Sequence, residues 1–479
     1  MSDYLYGLYL RGYQVFILTF RLEKVMIKVG PVLVRNIRDK YVIFNSLRLS
    51  FYFPLSGPKN MTGVTGEKNY LLRLAAVVLT GVLAGLSGMV LAMILHAIQH
   101  LAFGYSLDRL IGTESFLQGV TDASWPRRFT AIVAGGAIAG FGWWLLGRYG
   151  QKRVSISAAV ASPAVPMPAG TTTLHALLQI VTVALGSPLG REVAPREMGA
   201  LGAGIVARRM GLHDDETRTL IACGAGAGLA AVYNVPLAGA LFTLEVMLLS
   251  FSWEKTLAAV VTSAVAAWTA ALGLGDESQY HFISGALPHA FMWWAIIVSP
   301  LLGAAAWLFR QATSAARARV RTNWQMPLFC LLAFTLLAGL SLYFPQLPGN
   351  GKGPMQLAIG DGLGLHSALV LLVLKAIVIL AVLRGGAEGG LLTPGLAVGG
   401  LVSLLLSILW QQLVPGGDAG SFALVGAAAF LAASMQMPLT AVALVMEFTH
   451  MDHSYLAPTL LCAAGAFITC RILDGKYRF

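Results

Sequence analysis

Apolar residues run along this chain in long blocks separated by short polar breaks. The blocks lie near Leu71–Ile98, Phe129–Leu146, Thr256–Leu272, Phe291–Leu308, Leu328–Leu342, Ala368–Leu383, Leu401–Trp410 and Leu456–Ile472. Some are long enough to cross a hydrocarbon layer of roughly 30 Å as helices; others reach across only if tilted or broken. The uneven lengths predict an all-α, multi-pass membrane bundle of tilted and broken helices rather than a row of uniform spans.

The pattern also repeats. Leu229–Glu245 reads LAAVYNVPLAGALFTLE and Leu431–Glu447 reads LAASMQMPLTAVALVME, with Leu, Ala, Ala, Pro, Leu and Glu in register at a constant offset of 202. Each copy sets a proline within an apolar stretch and a lone glutamate near its far end. Paired, interrupted hydrophobic segments are the mark of a transporter or channel built from two related halves. The matching places of Glu245 and Glu447 point to a structural role, satisfying backbone or side-chain donors.

Composition narrows the class. Hydrophobic residues make up 57% of the chain and charged residues 11%, with a mean hydropathy of +0.71. So few charges cannot clothe a water-facing surface of this size, so most of the chain faces lipid. The 53 glycines suit helices that approach closely. The formal net charge of +11 is spread over short clusters between apolar blocks, Arg127–Arg128, Arg148–Arg153, Arg208–Arg209 and Arg317–Arg321. They read as cytoplasmic loops rather than as a nucleic-acid surface, for which no soluble domain is evident. Cys223, Cys330, Cys462 and Cys470 form no CxxC pair and read as small core residues. The nine histidines are scattered, and no metal or cofactor is expected.

Residues 1–60 are rich in Tyr, Phe and Arg, with no long apolar run and no cleavage site of small residues. They fit an amphipathic segment on the membrane surface, or an upstream stretch ahead of a true start at Met61, and the pattern favours the second. The membrane domain is expected over 61–479, with halves of about 61–250 and 251–479. Asp214, Asp215 and Glu216 are expected to cap a helix. Lys375 is expected to snorkel rather than pair with a buried acid, and Glu197 to be solvated rather than face the entrance.

The stretch richest in chemistry is Gly186–Gly199, GSPLGREVAPREMG. Glycine and proline clear the backbone, and Arg191 and Glu192 sit where a helix should begin. Free amides at a helix N-terminus bind anions, and a carboxylate there can take the anion's own place. Glu192 is thus a candidate gate and proton acceptor, against the plainer reading that it caps its helix or pairs with Arg191.

Taken with LIACGAGAGLAAVYNVPLAGALFTLE (Leu220–Glu245), GGAEGGLLTP (Gly385–Pro394) and Pro438–Glu447, this stretch resembles the CLC family of chloride channels and proton-coupled chloride antiporters. That family carries GREGP, then GAAAGLAAAFNAPLAG and LFxxE, at nearly this separation. The resemblance implies two inverted-topology repeats, a homodimer with one pore per subunit, chloride as the ion and protons as a possible counter-substrate. A bacterial inner membrane is the expected location. It puts Glu192 on the gating glutamate and the amides of Val193 and Ala194 on the outer anion site. Leu391 and Leu392 fall on the amide pair facing the central anion, and Ser155 on the serine that donates to it, with Ser157 as an alternative. Neutral N–H and O–H donors can replace the water of a large, weakly hydrated anion without trapping it.

Several positions depart from the family pattern. GSGIP becomes VSISA, GREGP becomes GREVAP, GxFxP becomes GLLTP, and Glu388 replaces a proline. In GKYRF, strict register puts Phe479 on the family's tyrosine and leaves Tyr477 two residues early. Val246 follows Glu245 where the family's antiporters carry a second glutamate, so the usual inner proton route is missing. This leaves a channel-like conductor, or an antiporter fed with protons by water or another acid. A cation-coupled solute symporter is the alternative class, but it needs intramembrane Asp clusters, and the apolar blocks are nearly free of Asp. An intramembrane enzyme would need a constellation such as HExxH, which does not occur.

Overall fold

A computed structural model of the chain describes residues 63–104, 115–276, 278–283, 285, 287–360 and 362–475, together with four short strands near the N-terminus. It divides into two units, Met1–Leu71 and Leu72–Phe479. In the first, Leu5–Leu10 pairs antiparallel with Tyr13–Leu18, and Met26–Lys28 with Ser50–Tyr52. The expected surface-lying character of 1–60 rests on side chains outside the described residues.

The rest is helical. The first half of the bundle contains α1 (Gly63–Phe103), α2 (Phe116–Asp122), α3 (Trp125–Tyr149), α4 (Ile156–Ala161), α5 (Ala169–Ala184), α6 (Val193–Arg209), α7 (Asp214–Tyr233), α8 (Pro236–Phe242) and α9 (Trp253–Leu274). The second contains α10 (Ala290–Ala318), α11 (Gln325–Ser341), α12 (Lys352–Ile359), α13 (Leu365–Gly385), α14 (Leu392–Leu413), α15 (Ala419–Met435), α16 (Pro438–Thr449) and α17 (Leu456–Leu473). Among the described residues, seven helices are long and apolar enough to cross a membrane, and five more are apolar but shorter. The protein is an integral membrane protein with the mixture of full and partial spans that the uneven blocks predict. The longer helices turn Leu, Ile and Trp side chains outward, such as Leu257, Trp268, Trp293 and Ile297, and the shorter α11 does the same with Leu328 and Leu332. In water these would aggregate; against lipid tails they cost nothing.

The repeated glutamates tie the halves together. Glu447, near the end of α16, accepts from the amides of Leu237 (2.9 Å) and Ala238 (2.8 Å) at the start of α8. Glu245, in the π-helical turn Thr243–Leu248 that ends α8, accepts from Leu439 (2.9 Å) and Thr440 (2.8 Å) at the start of α16. With each C-terminal end at the other's N-terminal end, α8 and α16 run antiparallel, as inverted repeats require. Pro at each N1 donates no N–H, so the next two amides are the ones in need of an acceptor. Asn234 and Gln436, again 202 apart, hold the matching left-handed turns before these helices, with φ of 55° and 58°. Removing either carboxylate strands two amides away from bulk water. Glu447→Ala and Glu245→Ala are each expected to cost about 2 kcal/mol, read as a fall in Tm of the detergent-purified protein. Equal Tm values for variants and wild type would contradict the capping role.

Other expectations sort cleanly. Glu216 accepts from the His213 amide at 3.1 Å in a capping box at the start of α7, with Asp214 and Asp215 in the same turn. All four cysteines are buried. Lys375 does not snorkel: it is fully buried, and its Nζ donates to the carbonyls of Leu347 (2.8 Å) and Gly349 (2.6 Å). Those carbonyls lie in a segment without helix or strand, so a buried ammonium satisfies what no ladder does. Arg127 and Arg128 do not form a cytoplasmic loop cluster alongside Arg148. They start α3 and Arg148 ends it, about 30 Å away along the axis, so the two groups face opposite sides of the membrane. Arg127 closes the end of α1 through the carbonyls of Leu101 and Ala102, and the buried Arg128 binds those of Thr121, Ala123 and Ser341.

Candidate functional site

Two helices begin at the same point inside the bundle. Before α6 and before α14 the chain passes through Gly190 and Gly390, which exchange N–H···O bonds of 2.8 and 2.9 Å. This short antiparallel bridge is possible because each glycine opens a segment where the backbone must approach another closely. It brings the N-terminal amides of α6 and α14, and the positive ends of both helix dipoles, into one place.

Glu192 precedes the first residue of α6, yet its side chain makes no cap bond to its own helix. It reaches to the other one. Oε1 accepts from the Leu392 amide at 2.8 Å, and Oε2 accepts from the hydroxyls of Thr393 and Tyr233, each at 3.3 Å. The residue is 1% exposed. Neither plainer reading holds: Glu192 does not cap α6, and Arg191 lies over the Tyr233 ring, 5.3 Å from its centroid. The carboxylate oxygens are held by one backbone N–H and two hydroxyls, neutral donors of a kind that can also receive a small anion.

The space is made by the absence of side chains. A Cβ on Gly390 would lie 1.8 Å from Glu192 Oε1, and one on Gly190 would lie 2.1 Å from Oε2. Tyr233, buried at the end of α7, also meets Thr393 Oγ1 at 3.2 Å, and Asn350 Nδ2 donates to the same hydroxyl at 3.4 Å.

The other sequence-derived positions divide. Leu391 and Leu392 open α14, and Leu392 N–H is the donor to the carboxylate. Val193 and Ala194 are the first two residues of α6, with amides in the unpaired N-terminal turn; Pro195 next to them has none to offer. Ser155 is exposed, and its hydroxyl caps α4 by accepting from Ala158 N at 3.2 Å; Ser157, inside that helix, is exposed too. Tyr477 and Phe479 lie outside the described residues.

Sequence reasoning missed Tyr233 and Thr393. A signal was present for each, because the phenol and the hydroxyl are added where the resembled stretches read AAAFN and GxFxP. It also missed a polar cluster beside the site. Arg153 forks onto Glu388 (2.7 and 2.9 Å), and Glu388 Oε2 lies 3.0 Å from His175 Nε2. His175 Nδ1 lies 2.8 Å from Glu197 Oε2, and Gln179 Nε2 is bonded to both. Glu197 is therefore not solvated: it is 15% exposed and faces a 2% exposed imidazole. Burial pushes the Glu388 carboxyl up, but the His175 hydrogen bond and the Arg153 guanidinium outweigh it and hold the group at about 2. These neighbours favour the anion of Glu388.

Comparison with known proteins agrees with this geometry. The chain is 28% identical over 386 residues to the voltage-gated ClC-type chloride channel ClcB of Citrobacter koseri, covering 76% of this chain and 90% of that protein. It is 27% identical over 434 residues to the H(+)/Cl(−) exchange transporter ClcA of Vibrio campbellii, covering 86% and 89%. Among solved structures, a slow cyanobacterial Cl−/H+ antiporter matches with a TM-score of 0.73 at 19% identity, over 85% of this chain and 95% of that one. A CLC-type fluoride/proton antiporter matches with a TM-score of 0.61 at 20% identity, over 85% and 96%. These two establish likeness of fold. The description "voltage gated chloride channel" fits residues 135–471, and the chain belongs to that family.

Proposed function

We propose that the protein moves chloride across the membrane through the junction of α6 and α14, with Glu192 as gate and proton acceptor. The observation that carries this reading is the buried Glu192 carboxylate seated on the Leu392 amide between two facing helix N-termini. An anion entering from either side meets the same donors and must displace the carboxylate. Protonation removes the charge that holds Glu192 there, so a proton and an anion exchange at one place, which couples their movements. The amides of Val193 and Ala194 form the outer station, and those of Leu391 and Leu392 the inner one. The Tyr233 and Thr393 hydroxyls add side-chain donors to those amides. Family membership removes the cation-coupled symporter as a competitor. A homodimer in a bacterial inner membrane is the assembly and location that fit this family reading.

The test is chloride efflux from proteoliposomes between pH 4 and pH 8. The wild-type rate is expected to rise as pH falls, because protonated Glu192 releases the amide. Glu192→Ala, which has no carboxylate to protonate, is expected to show a flat profile. Efflux of fluoride but not chloride would correct the ion; identical pH profiles would remove Glu192 as the gate.

A further inference from the structure

We propose that His175, flanked by Glu388 and Glu197, is a proton relay between the cytoplasmic face and Glu192. The inference rests on the coupled exchange set out above and adds the residues that feed it.

Three observations carry it. First, the cluster opens to solvent at one end and is closed at the other. Glu388 and Arg153 side chains are 41% and 42% exposed, Glu197 is 15% exposed, and His175 between them is 2% exposed. Second, both ring nitrogens are engaged by different carboxylates, Nε2 by Glu388 at 3.0 Å and Nδ1 by Glu197 at 2.8 Å, with the Arg153 guanidinium also against Nε2 and the Gln179 amide against Nδ1. An imidazole so held can receive a proton on one nitrogen as it yields one from the other. Third, the open end lies on the basic face. Glu388 pairs with Arg153, and Arg317 donates to the carbonyl of the adjoining Gly389 at 2.8 Å. Both arginines belong to clusters that the positive-inside rule places in the cytoplasm.

The closed end faces the gate's helix. Glu197 and Glu192 lie five residues apart at the start of α6, and both carboxylates are within electrostatic reach of the buried Arg196 guanidinium.

In this relay a proton drawn to the fixed negative charge of Glu388 enters the ring at Nε2. The Nδ1 proton leaves to Glu197 Oε2, so the imidazole gains one proton and gives up one. Arg153 positions Glu388, and Gln179 holds Glu197 and the ring in line. The charged groups around the imidazole are thus Arg153 ahead of α4, Glu197 on α6 and Glu388 ahead of α14. Trp143 on α3 faces the ring edge-on at 6.2 Å.

The experiment records chloride flux and proton movement together in proteoliposomes holding the full chain, either wild type, His175→Gln or Glu197→Gln. Each amide keeps hydrogen-bonding capacity but cannot relay a proton. The expected result is a drop of about a hundredfold in protons moved per chloride while chloride still moves. A purely structural cluster would lower both fluxes together or neither. An unchanged ratio in both variants would overturn the relay and leave coupled exchange intact. Chloride movement without protons in the wild type would overturn coupled exchange, and the relay with it. Glu388→Gln tests the entrance in proteoliposomes: it is expected to lower the proton rate at high pH on the cytoplasmic side, where protons are scarce, more than at low pH there. An equal effect at both would overturn the role of Glu388.

Discussion

Gly390→Ala is expected to lower chloride flux by about a hundredfold in a protein that still folds. The added methyl would lie 1.8 Å from Glu192 Oε1 and 2.2 Å from its carboxyl carbon, far inside van der Waals contact. No backbone strain accompanies the change, because Gly390 is absent from the positive-φ residues. Its N–H and C=O, which bridge to Gly190, are untouched. The methyl therefore acts on one thing, the volume at the head of α14 that carboxylate and anion share. A loss of about 3 kcal/mol of site occupancy corresponds to the stated factor. Gly147→Ala is the matched control: that glycine lies within α3 and has nothing within 4 Å of the new Cβ. Equal chloride flux in Gly390→Ala and Gly147→Ala would mean that the anion passes elsewhere.

Glu192→Ala should act with the opposite sign. Removing the carboxylate vacates the Leu392 amide and the hydroxyls of Thr393 and Tyr233. A hydrogen bond from an amide to a charged group contributes about 1.5–3 kcal/mol, and chloride no longer competes for it. Chloride is then expected to bind about ten to a hundred times more tightly, measured by titration calorimetry on the detergent-purified protein. If the wild type and Glu192→Ala bind chloride equally, the carboxylate and the anion do not share a site. The two substitutions together separate volume from charge. In Glu192→Ala/Gly390→Ala the clash with the carboxylate is gone, and only the anion's own loss of space remains.

The parts of this site that the sequence carried were those whose chemistry is local. A glycine-flanked Arg–Glu pair before a helix marks Glu192 from local chemistry, and the family resemblance adds Leu392. The offset of 202 likewise picked out Glu245 and Glu447, because identical spacing in both halves is what mutual capping demands. What stayed hidden depended on which residues distant segments bring together. Arg153, His175, Glu197 and Glu388 lie on four separate elements, and no spacing in the chain announces that they meet. Lys375 looked like a snorkelling residue because a span of LLVLKAIVIL shows nothing of the carbonyls of Leu347 and Gly349 that receive it. Ser155 adds a helix cap that VSISA also allows: its hydroxyl oxygen accepts from the amide of Ala158, three residues on.

Simultaneous recording of chloride and proton movement in the same vesicles, under an imposed chloride gradient, tests the central claim most directly. The wild type is expected to drive protons uphill as chloride runs down its gradient, and Glu192→Ala to move chloride without protons. Proton movement that persists in Glu192→Ala would contradict the account, because the carboxylate on the Leu392 amide would then not be where anion and proton exchange.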